Sequence, residues 1–171
     1  MGDLAKNIFE KLSSYQLFNF FYPGAIFIFL LKYSGFNLVD ELPVGFFLLI
    51  SHFLGLTFSR IGSLVIEDLM IKIELIHKLN YENYVKAEKV DSKVQLLLEI
   101  TNMYRTLSAM FLVQTIVVLV IHFLRINNMS SHCCLALIYF LLFVLFALAF
   151  KKQYKYVEKR VDANNRIDTN S

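Results

Sequence analysis

Residues 57–68 read TFSRIGSLVIED, and Arg60 is the exception within them. From Pro43 to Ile66 the chain carries no other charge, and the run then stops on two acids, Glu67 and Asp68. A fixed positive charge in such a segment is tolerable only where headgroups, water or a counter-ion reach it. The surroundings of Arg60 therefore decide what kind of helix this is.

The composition points to lipid. The 171 residues are 57% hydrophobic and only 18% charged, with 17 Phe, 9 Tyr and no Trp. Soluble domains run to about 45–50% apolar and about 25% charged, so this chain is too apolar to dissolve alone. Four apolar stretches stand out, at 15–31, 43–66, 107–124 and 133–150. A hydrocarbon core of about 30 Å needs about 20 apolar residues in helical form, and each stretch is near that length. The expected fold class is all-α: an integral membrane four-helix bundle. The first stretch is read as a span because no small-x-small cleavage site comes after it. The vicinal Cys133 and Cys134 are read as small packing residues, not as a disulfide.

Orientation comes from the bases. With both termini inside, fourteen lysines and arginines fall in cytoplasmic segments and two, Lys32 and Arg125, fall outside. The positive-inside rule then gives a multi-pass protein with both ends cytoplasmic. The net charge of +3 conceals this asymmetry, because most acids are inside as well.

Residues 1–14 place Leu4, Ile8 and Leu12 on one face, an amphipathic helix suited to the headgroup layer before the first span. Pro23 and Gly24 interrupt the first span and predict a kink. Residues 15–66 hold spans one and two. Apolar spacing continues through Ile66, Leu69, Ile73 and Ile76, predicting that the second helix runs on to about Leu79. Asp91 or Ser92 suits an N-cap, after which Val94, Leu97 and Ile100 lead unbroken into the third span. Residues 67–106 thus read as a cytoplasmic helical hairpin of two stalks, and 107–150 as spans three and four. Residues 151–171 read as a basic helix to about Val161 and a disordered tail.

Two readings of Arg60 remain. It snorkels to the inner headgroups, or it joins a gate-like cluster of Arg60, Glu67, Asp68, Glu99, Asn102 and Arg105. In the second case Arg60–Glu99 and Glu67–Arg105 are the expected pairs. On the third helix Thr101, Ser108, Thr115 and His122 recur every seven residues, with Gln114 beside them. That stripe bonds across a helix interface or lines a pore in an oligomer. Gly55, Ser59, Gly62 and Ser63 give the second helix a small-residue face that admits a close neighbour.

His52 and His122 lie at different depths, which argues against haem ligation. There is no CxxC, HExxH, GxSxG or P-loop, and no pair of carboxylates within a span. Neither an enzyme nor a cofactor is expected, and a proton-coupled carrier lacks its intramembrane acid. The inner surface interleaves Tyr81, Tyr84, Lys86, Lys89 and Lys93 with Lys151, Lys152, Tyr154 and Lys155. Attraction to anionic lipid explains that pattern; so does a nucleotide or oligonucleotide ligand, with tyrosines stacking bases and lysines meeting phosphates.

The strings SYQLFNFFYPGAIF (14–27), RIGSLVIED (60–68) and YRTLSAMF (104–111) resemble a group of small bacterial four-helix membrane proteins. The architecture is similar to the channel-forming membrane effectors of prokaryotic anti-phage systems, the Hailong effector family among them. The resemblance implies a homo-oligomer, a tetramer, gated by a nucleotide messenger on its cytoplasmic side and depolarising the cell. The competing reading is a non-conducting sensor or scaffold whose hairpin docks a cytoplasmic protein partner.

Overall fold

The computed structural model describes residues 14–34, 43–124 and 129–168. Among these the chain is helical with no strand. Helix α1 is continuous through Ser14–Gln16, a π-turn at Leu17–Phe21 and Tyr22–Tyr33. Helix α2 comprises Val44–Ile61, a second π-turn at Gly62–Glu67 and Asp68–Lys72. Beyond it lie helices α3, Tyr81–Val90, α4, Lys93–Leu124, and α5, Met129–Asp168.

Among the described residues, three helices are long and apolar enough to cross a membrane: Val44–Lys72, Lys93–Leu124 and Cys133–Asn165. The apolar part of α1, Leu17–Tyr33, is shorter. It also stops early. Ser34 lies 3.4 Å from the Gln114 amide, where α4 still has about 15 Å to run to Leu124.

Pro23 explains the irregular start of α1. It has no N–H to give the carbonyl four residues back, at Asn19. The turn just ahead widens, and the Tyr22 N–H bonds the Leu17 carbonyl five residues back. The kink expected at Pro23 thus takes the form of a π-turn. Small residues then bring α1 and α2 into backbone contact. A Cβ on Gly55 would sit 1.6 Å from the Phe20 carbonyl oxygen, and one on Gly24 1.7 Å from that of Ser51.

The main core joins Phe27, Phe58, Met110, Val118, Tyr139 and Phe150 from α1, α2, α4 and α5. A second, smaller core gathers Ala87 of α3, Val94 of α4, and Val157 and Val161 of α5. Tyr15 meets Asn102, so α1 begins toward the end of the bundle that carries α3.

Two stalk expectations are corrected. Helix α2 ends at Lys72, not near Leu79. Glu74 adopts a left-handed φ of 58°, its N–H bonds Ile71, and the Leu75 N–H reaches back to Met70. That pair of bonds is a Schellman cap, a stop that apolar periodicity does not register. The partners of the α4 stalk are instead α3 and the end of α5, closed by Asp91: it caps α4 through the Lys93 N–H at 3.0 Å and pairs with Arg160. Helix α5 also continues to Asp168, through residues expected to be disordered, because its Val157 and Val161 are held in the second core and Asn164 reaches Asp91. The amphipathic helix expected in residues 1–14 falls, but for its last residue, outside the described residues.

Candidate functional site

Both π-turns face the same stretch of α4, residues 102–106. From α1, Asn19 is 1% exposed yet polar. Its amide nitrogen donates to the Tyr15 hydroxyl at 2.9 Å, and its amide oxygen lies 2.9 Å from the Thr106 hydroxyl. Thr106 is also 2.8 Å from the Asn102 carbonyl, and the Asn102 side chain reaches Tyr15 at 3.4 Å. From α2, Glu67 accepts from Arg105 in an ion pair. Gly62 makes room for it: a Cβ there would be 3.0 Å from the Arg105 side chain and carbonyl. A neutral network and a charged pair therefore clasp one helical turn from two sides.

Of the six cluster candidates, Glu67, Asn102 and Arg105 converge on this turn. Arg60 and Asp68 are exposed. Arg60 does not pair with Glu99, and the reason is local. Arg60 and Glu67 share a face only on a regular α-helix, whereas a π-turn inserts an extra residue and rotates the helix beyond it by about 100°. Glu67 turns toward α4 while Arg60 stays outside. Glu99 is partly buried and borders a cleft with Tyr15 and Phe18. Helical spacing does not single out Asn19, Tyr15 or Thr106. A lone Asn inside the apolar string LFNFF is the one signal the sequence offers for them.

The polar stripe lies inside the chain's own bundle. Thr101, Ser108, Gln114 and Thr115 are buried, and Thr101 and Thr115 return their hydroxyls to the carbonyls of Leu97 and Phe111. These residues pack against helices of the same chain. The expectation that they line a path between copies is corrected on that ground. Ser108 Oγ, Gln114 Oε1 and Arg105 Nε are buried without a hydrogen-bond partner among the described residues. His122, half-buried near the other end of α4, lies 3.6 Å from Cys133.

The anion-site candidates do not assemble. Tyr154 is 5% exposed and accepts the Leu79 N–H at 3.2 Å. It is a structural post rather than a stacking surface. Tyr84 turns inward, packed against the second core of Ala87, Val94, Val157 and Val161. Burial, then the charge of Glu88 and a hydrogen bond to it, push its phenol up to about 12. Lys86, Lys89 and Lys93 point outward with Tyr81, and Lys152 and Lys155 are exposed on α5, with Lys151 only partly covered. Burial of the aromatic side chains separates two of the three tyrosines from the lysines they would need beside them. No group of metal-binding side chains is present among the described residues.

No protein-family model, curated protein or solved structure matches this chain.

Proposed function

We propose that this chain is the subunit of a membrane channel effector opened from the cytoplasmic side, with the conducting path along the polar line of α4 within each bundle. The observation that carries the reading is three unpartnered buried atoms on that helix, Arg105 Nε, Ser108 Oγ and Gln114 Oε1. Each buried polar group without a partner costs about 1–3 kcal/mol, and in a membrane no outside water relieves it. Water entering along α4 satisfies Arg105 Nε and Ser108 Oγ together, about 60° apart on the helix, which brings a hydrated state closer in energy to the dry one.

Continuity supports the gating direction. Helices α4 and α5 run unbroken from the small core around α3 into the apolar bundle, so a push on that core moves the spans. The Glu67–Arg105 pair is the latch. Homo-oligomerisation as a tetramer, a nucleotide trigger, membrane depolarisation and a place in anti-phage defence rest on the resemblance alone. So does a bacterial inner-membrane location with cytoplasmic termini, beyond the positive-inside count.

A second reading is favoured by the outer face of α3, where Tyr81 is 78% and Val90 65% exposed. On it, the chain is a non-conducting scaffold that docks a cytoplasmic protein there. Potassium release from proteoliposomes separates the two. Glu67→Gln, which unlatches α4, is expected to leak at least tenfold faster than wild type, and adding Ser108→Leu to stop that leak. If Glu67→Gln vesicles stay tight, the channel reading fails and the scaffold stands.

A further inference from the structure

A cleft of about 210 Å³ opens beside the clasped turn. Its walls are Tyr15 and Phe18 of α1 and Leu96, Ile100 and Met103 of α4, with Glu99 among them. Two other acids of this region are neutralised, Glu67 by Arg105 and Asp91 by Arg160. Glu99 makes no ion pair or hydrogen bond among the described residues. A partly buried carboxylate without a counter-ion, set in an apolar wall with two aromatic rings, has one complement. That complement is positive and greasy.

We infer that this cleft is a binding site for a small lipophilic organic cation, an ammonium group carried on an apolar or aromatic body. Glu99 supplies the counter-charge. The rings of Tyr15 and Phe18, both in its lining, offer cation–π attraction, worth about 0.5–2 kcal/mol as the site is desolvated. The apolar side chains take the body of the ligand, and inorganic cations are disfavoured because the lining cannot replace their hydration shells. The volume falls below the usual range of drug-sized pockets, about 300–1,000 Å³, which restricts the ligand to roughly one ring and its amine. The site lies against Asn19 and Met103, beside the network on Asn102 and Thr106. An occupant therefore bears on the same turn of α4 as the latch. The inference does not depend on whether the chain conducts.

The test uses the full chain in lipid nanodiscs and two probes of one shape: benzyltrimethylammonium, and neopentylbenzene, its uncharged isostere. Saturable binding of the cation to wild type is expected by ligand-observed NMR. Glu99→Gln should weaken the cation about tenfold and leave the neutral isostere unchanged, which also reports an intact cleft. Phe18→Ala should weaken both. Glu82→Gln, an exposed acid on α3, should weaken neither. The site is overturned if wild type shows no saturable cation binding, if Glu99→Gln binds the cation as well as wild type, or if the isostere binds wild type as tightly as the cation.

Discussion

At the scale of single residues, Glu67 and Arg105 hold each other at the edge of the apolar core, 23% and 15% exposed respectively. Breaking a fully buried pair costs about 3–5 kcal/mol because the survivor is left charged and unpaired. Partial exposure reduces that, so Glu67→Gln or Arg105→Met alone should cost about 1–3 kcal/mol. The double replacement by Leu and Met should recover most of the loss, read as a double-mutant cycle of melting temperatures in detergent. Glu74 presents the opposite case. A non-glycine residue holds the left-handed position of the Schellman cap, and Glu74→Gly should raise stability by about 0.5–1 kcal/mol. Asp91 sets a pH dependence. Its hydrogen bond to Arg160 holds the carboxyl below the ordinary carboxylate range; desolvation opposes this, and the Lys93 N–H, Asn164 and the Arg160 charge add to the lowering. As pH falls the unfolded chain takes up the proton first, so the contribution is complete above about pH 4 and drains away below it. Hydrogen exchange at the end of α5 should accelerate below that pH in wild type and show no such step in Asp91→Asn.

At the scale of elements, the glycines divide into those that touch and those that do not. Gly55 meets the backbone of Phe20 at a distance no Cβ can occupy, whereas a Cβ on Gly45 would have no neighbour within 4 Å. Gly55→Ala must push α1 away from α2 and should cost about 1–3 kcal/mol or more. Gly45→Ala should be neutral or gain up to about 1 kcal/mol in helix propensity, with both melts run side by side. The small-residue face on the second helix is legible in the sequence because Gly55, Ser59 and Gly62 recur at helical spacing. That this face is shared between α1 and α4 is not legible, since spacing marks a contact without naming its partner. The two π-turns are invisible for a related reason. A period of 3.6 leaves no trace of one inserted residue, and that residue is what parts Arg60 from Glu67.

At the scale of the molecule, apolar length and helical period carry the all-helical fold and its helices long enough to cross a membrane, and capping chemistry at Asp91 carries the start of α4. The pairing of the stalks is hidden because α3, with its four charged residues among ten, has too little apolar surface to look like a packing element. Its few buried positions, Ala87 above all, suffice to dock it on α5. The polar stripe is legible on one face of α4, but its burial within one chain depends on where α1 and α2 sit. Gating from the cytoplasm requires a bundle that crosses the membrane and hangs α3 on its inner side. Tyr81→Cys, in a chain whose Cys133 and Cys134 are replaced by Ser, reports that placement through a membrane-impermeant maleimide. Position 81 should stay unlabelled in intact cells and label fully once the membrane is opened; labelling of intact cells would contradict the arrangement.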